Sequence, residues 1–205
     1  KAHAHYAYFC SPKRHDNSPI LTLTSDGGGD DAYESIRIFD ESGELVLHQD
    51  KTNLIANIYS YITLFLGMRP NEHEYKVMGL SAYTPEYLKK EPREIFLDAL
   101  SVDKFKFTRN PKVTDLYTYF CNRLKGYRFD AISGGIQDFV EIRMMEWVRN
   151  AVSETGIKDI AYSGGLALNI KANQKIWEMD CVDSLFVPPG AGDESLSIGA
   201  AYAFL

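Results

Sequence analysis

The stretch of sequence that decides the fold is residues 159–205, DIAYSGGLALNIKANQKIWEMDCVDSLFVPPGAGDESLSIGAAYAFL. Two short apolar runs, DIAYSG and SLFVPPG, alternate with two segments of helical periodicity, NIKANQKIWEM and ESLSIGAAYAFL. Strands separated by helices predict parallel strands in an α/β sheet, joined by right-handed crossovers. Each run ends in glycine, and ligand loops of such sheets gather at the carboxyl ends of the strands.

The amino-terminal part of the chain predicts three consecutive antiparallel strands. ILTLTS is β-branched and stops at three glycines, while YESIRIFDES and GELVLHQDK alternate polar and apolar residues on both sides of Ser42-Gly43. A meander of three strands followed by helix, strand, helix, strand and helix is the order of an RNase H-like unit. We therefore predict a mixed α/β sheet flanked by helices.

Two long helices are predicted between these parts. The first is expected to begin at Asn53 as its cap and to end at Gly67, and its apolar residues at helical spacing are Leu54, Ile58, Ile62 and Phe65. The second is expected to stop at Gly156, and its apolar face comprises Ile136, Val140, Met144, Trp147 and Ala151. Prolines and charges at about 84–125 predict a peripheral insertion.

Composition excludes several classes of protein. The formal net charge of -6 argues against a nucleic-acid partner, which favours a basic face. Three cysteines without a CxxC pair predict no disulfide framework and agree with a reducing cytoplasm. No apolar run approaches the roughly 20 residues of a membrane span, so we expect no membrane partner. The abrupt opening KAHAHYAYF leads us to expect a fragment of a longer protein.

The first candidate for chemistry is Asp26, followed by Gly27, Gly28 and Gly29 in the first hairpin turn. Glycine lets the backbone approach a phosphate without a Cβ collision, and the carboxylate is able to hold a cation or its water. A glycine-rich turn is also an ordinary way to reverse a strand, so both interpretations stay open for this segment alone.

The second candidate is the corner at Gly164 and Gly165, between a strand and a helix. Its amides are expected at the positive end of the helix dipole, and Asn169 in the first helical turn is within reach of a ribose or a phosphate. The alternative is a packed turn in which Asn169 caps the helix.

A third corner contains Gly190 and Gly192 ahead of Asp193. Asp193 is suited to completing a metal site, or to capping the helix that follows, with Ser195 near the first turn. Convergence of the three corners on one edge of the sheet would favour a ligand site over three separate turns.

Histidine and lysine supply further candidates. His3 and His5 are close in sequence, and such pairs are more often hydrogen-bonded than metal-bound; His3 needs a partner one helical turn earlier to be a ligand. Lys76 is expected to pair with Glu72 or Glu74, or to contact an anionic ligand. The GxSxG, Walker lysine, HExxH and CxxC signatures are all absent.

Taken together and in order, these segments resemble the O-carbamoyltransferases, a family that includes the nodulation-factor, cephem and tobramycin carbamoylating enzymes. PNEHEYKVMGLSAY resembles the family's EYKVMGLAPYG block, SGGLALNIKANQKI its GGVALN-x2-AN-x-K block, and VPPGAGDESLSIGAAY its QPAAGDAGxALGAA block. ILTLTSDGGGD resembles the VLTLDGVGD hairpin, and FDAISGGIQDFVEIRMMEWVRN the DIAAxxQxxxEE helix. Departures include GDES for GDAG, which places Glu194 beside Asp193.

The resemblance implies a fold and a metal site. The fold is the second RNase H-like half of the actin, sugar-kinase and heat-shock chaperone type, and the chain would lack both the amino-terminal half and a carboxyl-terminal domain similar to YrdC. KAHAHYAYFCSP resembles the end of HHxAHAxSAFFPSP, so His3 would be the second member of an HxxxH pair whose first member precedes Lys1. With Asp193 it would bind a divalent ion, which is iron in relatives.

The resemblance also implies a reaction. The YrdC-like domain would make carbamoyl-adenylate from carbamoyl phosphate and ATP, and the domain described here would hold it while a hydroxyl of a small-molecule or sugar acceptor attacks. Lys76 and Asp26 would be catalytic groups. Asn169 would contact the ligand instead of capping the helix. The expected nucleotide contacts are Gly27, Gly28, Gly29, Glu74, Gly164, Gly165, Asn169 and Gly192.

Two other functions remain as alternatives to carbamoyl transfer to a small molecule. One is a tRNA threonylcarbamoyl-transfer protein, which has a similar GG-x-x-x-N corner. The other is a non-catalytic nucleotide-binding scaffold, since half of a cleft cannot close on a ligand. For the same reason we expect the chain alone to be inactive.

Overall fold

The computed structural model describes residues 1–29, 32–52 and 55–204. In chain order the helices are α1 (Ala2–Cys10), α2 (Ile55–Phe65), α3 (Glu74–Ser81), α4 (Glu86–Ala99), α5 (Leu116–Arg123), α6 (Phe129–Thr155), α7 (Ile170–Trp177) and α8 (Leu196–Tyr202). The strands are β1 (Ile20–Ser25), β2 (Glu34–Asp40), β3 (Gly43–Asp50), β4 (Leu100–Asp103), β5 (Lys106–Arg109), β6 (Asp159–Ser163) and β7 (Ser184–Phe186). Within this described part, every helix is too short or too polar to cross a bilayer.

The chain divides into two compact units, of which the first is Lys1–Asn53 with Trp147–Leu205 and the second is Leu54–Glu146. The first unit contains a sheet of order β3-β2-β1-β6-β7. β1 and β2, and β2 and β3, pair antiparallel, while β1 and β6, and β6 and β7, pair parallel. The meander, the parallel strands and the mixed sheet flanked by helices are confirmed.

Burial follows the position of each strand in this sheet. β1 is central and buried along its whole length, whereas β3 lies at the edge and exposes Leu45 and Val46. A strand covered on both faces reads as a continuous apolar or β-branched run, which is why ILTLTS was recognisable in the sequence. In the parallel pair, Thr24 lies opposite Ser163, so β1 and β6 end at the same edge of the sheet.

Helix α6 has the predicted core face. Its members are all buried: Ile136, Val140, Met144, Trp147 and Ala151. The helix stops at Gly156, whose φ of +71° and N–H bond to the Val152 carbonyl form a left-handed cap that favours glycine. Helical periodicity therefore predicted both the buried face and the end of α6.

Helix α2 was predicted from Asn53 and Leu54, and these two residues lie outside the described part of the chain. From Ile55 onward the prediction is confirmed: Ile58 and Ile62 are fully buried, and Gly67 follows with a φ of +76°.

The segment at about 84–125 folds as α4, the antiparallel β4–β5 pair and α5 in the second unit. Phe96 of α4 contacts Phe120 and Phe139, with ring centroids 5.0 and 5.8 Å away. Pro92 is buried within α4, and a Cβ added to Gly135 would lie 2.7 Å from the Pro92 Cβ, so the small residue allows α4 and α6 to approach. That this segment is an insertion stays a prediction.

Candidate functional site

The carboxyl ends of the first unit's parallel strands bring the three glycine corners together. Asp26 follows β1, and its Oδ1 accepts a hydrogen bond from the Gly165 N–H, at 2.9 Å, just beyond β6. The Gly164 N–H donates to the Ala191 carbonyl at 2.8 Å, which ties the corner after β6 to the corner after β7. The corners that the sequence placed after separate strands therefore form one continuous site.

Packing alone explains the glycine at position 164. Its φ is +100°, and an added Cβ would lie 2.3 Å from the Ser25 carbonyl oxygen. Only glycine tolerates both the conformation and this close approach of two backbones. At Gly165 the obstacle is milder, because the added Cβ would meet the side-chain oxygen Oδ1 of Asp26 at 2.8 Å.

The turn after β1 has the opposite character. Gly27 and Gly28 have no positive φ, and a Cβ added to either one would meet no atom of residues 1–29, 32–52 and 55–204 within 4 Å. Gly29 differs, since its Cβ would lie 2.7 Å from the Ala32 carbonyl oxygen. The described part of the fold therefore does not itself require glycine at positions 27 and 28.

His3 and two carboxylates form a cluster at this edge of the sheet. The Nε2 of His3 lies 3.3 Å from Oδ2 of Asp26 and 3.3 Å from Oδ1 of Asp193. One ligand atom from each of the three residues falls within 4.8 Å of the other two. The side chains of His3 and Asp26 are each 12% exposed, whereas that of Asp193 is 72% exposed. The cluster is thus open to solvent on the Asp193 side.

The packing of α1 and α8 places these groups side by side. A Cβ on Gly199 of α8 would lie 2.2 Å from the Ala2 carbonyl oxygen, so glycine lets α8 contact the first turn of α1. The Tyr6 hydroxyl, also in α1, donates a hydrogen bond to the Pro189 carbonyl and fixes the loop after β7 against α1. His3 is thereby held next to Asp193.

The two carboxylates of the cluster have opposite pKa shifts. Burial opposes ionisation of Asp26, but hydrogen bonds from His3 and from the Gly165 N–H outweigh it, and the pKa lies below the ordinary value. Burial and the charge of Asp26 raise the pKa of Asp193, and His3 opposes this shift. Asp26 is therefore the more acidic member of the pair.

The donor set fits a divalent metal ion. Metal ligands at about 2.1 Å, with angles of 90–110° at the ion, lie about 3.0–3.4 Å from one another, which matches the two 3.3 Å separations. One imidazole nitrogen and two carboxylate oxygens suit Fe²⁺, Mn²⁺ or Zn²⁺. Asp26, Asp193 and His3 are the residues of this chain that would hold it.

Sequence comparison agrees with the ordered blocks. The family model described as carbamoyltransferase N-terminus matches residues 1–202. The chain belongs to this carbamoyltransferase family.

Relatives of this carbamoyltransferase-family chain are longer proteins. An uncharacterized protein of Methanocaldococcus jannaschii is 30% identical over 93% of this chain and 38% of its own length. The nodulation protein NolNO of Sinorhizobium fredii is 28% identical over 88% of this chain and 27% of its own. The nodulation protein NolO of Bradyrhizobium diazoefficiens is 27% identical over 88% of this chain and 34% of its own length. The chain therefore spans only part of the curated relatives it matches.

A solved structure supports the fold. Component A of the (R)-2-hydroxyglutaryl-CoA dehydratase of Acidaminococcus fermentans superposes with a TM-score of 0.55 and 16% identity, over 98% of this chain and 66% of that one. At this identity the likeness concerns the fold alone, which is of the actin-like type.

In this carbamoyltransferase-family chain, Asn169 is the helix cap. Its side chain accepts a hydrogen bond from the Ala172 N–H at 3.0 Å, at the start of α7. The expectation that Asn169 serves a ligand in place of the cap is wrong, while a nucleotide contact in addition to the cap stays a prediction. A 3₁₀ helix, Gly165–Leu168, also separates the glycines from α7, so the Gly165 N–H points at Asp26 and does not open the α-helix.

Asp193 is not a helix cap. It lies in a 3₁₀ helix, Asp193–Ser195, and neither this helix nor α8 has a side-chain cap hydrogen bond. His5 does not pair with His3; its ring nitrogens contact the Lys1 carbonyl at 3.1 Å and Glu44 at 3.7 Å. The cap alternative for Asp193 is thus wrong, whereas His3 and His5 are each hydrogen-bonded, to groups other than one another.

Glu74 and Lys76 belong to the second unit. Glu74 Oε1 accepts hydrogen bonds from the Asn71 N–H at 2.7 Å and from Ser60 at 3.2 Å, whereas Glu72 pairs with Arg69. Lys76 is exposed and, among the described residues, makes no ion pair; its Nζ lies 5.7 Å from the Tyr75 ring centroid. The predicted pairing of Lys76 with either glutamate is wrong, and its catalytic role stays a prediction.

Two features of the site were not foreseen from the sequence. A cation was expected at Asp26, but the placement of its carboxylate beside His3 and Asp193 was not, because it requires contact across 23 residues of sequence. Oε1 of Glu194 accepts a hydrogen bond from the Gly192 N–H at 3.2 Å. The second was foreseeable, because an acid two positions after a glycine is able to accept from that glycine's N–H.

Proposed function

We propose that the protein transfers a carbamoyl group from carbamoyl-adenylate to a hydroxyl of a small-molecule or sugar acceptor, with His3, Asp26 and Asp193 holding a divalent metal ion. The cluster of these three side chains beside an open glycine turn is the observation that carries the proposal. Family membership supports carbamoyl transfer in general.

The proposed step is a substitution at the carbamoyl carbon. The acceptor's hydroxyl oxygen forms a bond to that carbon, the bond from the carbon to the phosphate oxygen of AMP breaks, and the hydroxyl proton is lost to solvent. AMP and the carbamate are the products. Holding the acceptor hydroxyl against the carbamoyl carbon would supply most of the rate, as in other transfers from activated donors.

Residues of this chain would bind and orient the adenylate. The absence of any described atom within 4 Å of the Cβ positions at Gly27 and Gly28 supports the approach of a phosphate to the backbone there. Asp26 keeps its orientation because the Gly165 N–H and His3 both contact its carboxylate. A bound metal, for which iron is our expectation, would supply Lewis-acid polarisation of the adenylate or carbamoyl oxygens. Asn169 would add a nucleotide contact from the first unit, while the roles of Glu74 and Lys76 stay predictions from the family resemblance.

The rest of the reaction belongs to the longer protein. The matched relatives extend well beyond the region shared with this chain, which covers 27–38% of their length. We propose that a further domain similar to YrdC makes the adenylate from carbamoyl phosphate and ATP, and that the chain alone has no transferase activity.

Metal binding by the chain is the first test. We expect Mn²⁺, used as an air-stable probe, to bind the wild type, and Asp193→Asn to lower its affinity at least about tenfold, the scale on which metal sites respond to altered ligation. Thermal stability should hardly change, because the side chain is 72% exposed. Asp183→Asn is the matched control, since it removes the same charge from an equally exposed aspartate.

Equal affinity of the wild type and Asp193→Asn for Mn²⁺ would count against the metal site. The activity itself is tested with the whole protein, which should release AMP from carbamoyl phosphate and ATP only when a hydroxyl acceptor is present. Release of AMP that does not depend on any acceptor would contradict carbamoyl transfer.

A further inference from the structure

The carboxylate of Glu194 covers the turn after β7. Its Oε1 accepts a hydrogen bond from the Gly192 N–H at 3.2 Å. A Cβ added to Gly192 would lie 2.6 Å from Oε2, and one added to Gly190 would lie 3.3 Å from Oε1. The two glycines thus leave a space that the glutamate side chain of the same loop fills.

The glycine amides of the site differ in how firmly their acceptors are held. The Gly164 N–H donates to the carbonyl of Ala191, and the Gly165 N–H donates to Asp26; Ala191 and Asp26 are 1% and 8% exposed. The Gly192 N–H donates to the side chain of Glu194, an exposed residue on a flexible stem. Moving an exposed side chain away leaves its carboxylate in water, so its hydrogen bond is the cheapest of the three to break.

We infer that Glu194 is an internal competitor for the anionic group of the nucleotide, which takes the Gly192 N–H only when the glutamate leaves it. The inference rests on the proposed function, because it takes the anion at this edge of the sheet to be the phosphate of a nucleotide. A phosphate and the Glu194 carboxylate carry like charges, so their proximity is also unfavourable. Glu194 therefore lowers affinity for phosphate-bearing ligands.

Anion binding by Glu194 variants tests the inference. ADP and inorganic phosphate are titrated by calorimetry into the wild type, Glu194→Ala and Glu194→Gln, in a buffer containing Mn²⁺. We expect Glu194→Ala to bind ADP about 3- to 10-fold more tightly than the wild type, the range that loss of one competing hydrogen bond gives. Glu194→Gln should lie between them, because its amide oxygen retains the hydrogen bond without the charge.

Glu178→Gln is the matched control for net charge. Glu178 is likewise exposed in the first unit and pairs with Lys175 at 3.0 Å, away from the glycine corners in sequence. It should bind ADP as the wild type does. A gain as large as that of Glu194→Ala would assign the effect to overall charge and overturn the inference.

A second readout does not depend on any ligand. The Gly192 amide resonance in an ¹⁵N correlation spectrum should shift upfield in the proton dimension in Glu194→Ala, since its hydrogen bond is lost, while Glu178→Gln should leave it in place. An unshifted Gly192 amide would overturn the inference.

The outcomes separate this inference from the proposed function. Equal binding of ADP to the wild type and Glu194→Ala, or tighter binding to the wild type, overturns the competitor role and leaves the nucleotide site standing. Absence of ADP binding in both proteins overturns both, because the variant presents the Gly192 N–H without a competitor.

Discussion

The two glycine turns that meet at Asp26 have the same appearance in the sequence and different physical reasons in the structure. At Gly164 a left-handed φ and a Ser25 carbonyl within 2.3 Å of the Cβ position make glycine a requirement of folding. At Gly27 and Gly28 neither condition holds. A glycine that the folded chain does not need is better evidence for a ligand than one that it does.

The difference also locates the open side of the site. The amides at positions 164 and 165 already donate to protein acceptors, so a phosphate would have to replace those bonds. At Gly27 and Gly28 the Cβ positions meet no described atom within 4 Å, and the Gly27 N–H faces the Asp26 carboxylate. We therefore propose that the corner at Gly164 and Gly165 holds Asp26 in place, and that the ligand binds beside the corner at Gly27 and Gly28.

The largest expected effect is on folding, from Gly164→Ala. The new methyl group would collide with the backbone of Ser25 in a strained conformation, and we expect a loss of about 3–5 kcal/mol in the free energy of unfolding. Urea denaturation followed by circular dichroism measures it.

Gly156→Ala is the control for Gly164→Ala, because its φ is +71° but its Cβ position is free of contacts within 4 Å. It should lose only about 1 kcal/mol, from the backbone strain. If both variants lose the same amount, the close approach of the two backbones at Ser25 contributes nothing.

The next effect is on binding, from the double variant Gly27→Ala with Gly28→Ala. The added methyl groups meet no atom of the described residues within 4 Å, so stability should stay within about 0.5 kcal/mol of the wild type. They do occupy the space assigned to the phosphate, and we expect ADP affinity to fall about tenfold, or about 1.4 kcal/mol. Calorimetric titration measures the affinity.

Gly43→Ala is a useful companion to the double variant, since it lies in a hairpin turn of the same unit outside the candidate site. It should reduce stability through its φ of +123° without changing ADP affinity. If the double variant binds ADP as tightly as the wild type, the turn at Gly27 and Gly28 only reverses the direction of the chain and does not contact the ligand.

The smallest effect concerns Asn169. Asn169→Ala removes the cap of α7 and should cost about 1 kcal/mol in stability, whereas Asn169→Asp keeps an accepting oxygen at the cap and should remain near the wild type. The same aspartate lacks the amide donor that a nucleotide contact would use. Weaker ADP binding by Asn169→Asp at unchanged stability would show a ligand contact beyond the cap; equal binding would leave the cap as its only role.

The fold was largely accessible from the sequence. The fully buried β1 is a continuous apolar and β-branched run, while the alternating strands of the meander and the five buried residues of α6 carry periods that local geometry imposes. The 3₁₀ helix between Gly165 and α7 was not foreseen, because i→i+3 turns have no distinct hydrophobic period.

The site was accessible only in part. That the corners lie at one edge follows from parallel strands, but the identity of each acceptor does not. Asp26 joins His3 because α1 packs beside the end of β1, and Glu194 covers Gly192 because Gly190 and Gly192 lack side chains there. The contact of Asp26 with His3 has no signature in the spacing of the residues, whereas an acid two positions after a glycine made the Glu194 contact foreseeable.

By itself the sequence determined the order of the elements, the direction of the strands and the glycine corners after them, because these depend on neighbouring residues and on periods of two and about four. The tertiary structure alone decided which glycines folding requires, that Asn169 caps α7, and that His3, Asp26 and Asp193 share one space. Those outcomes depend on distances between atoms far apart in the chain, and such distances are fixed only when helices and strands pack against one another.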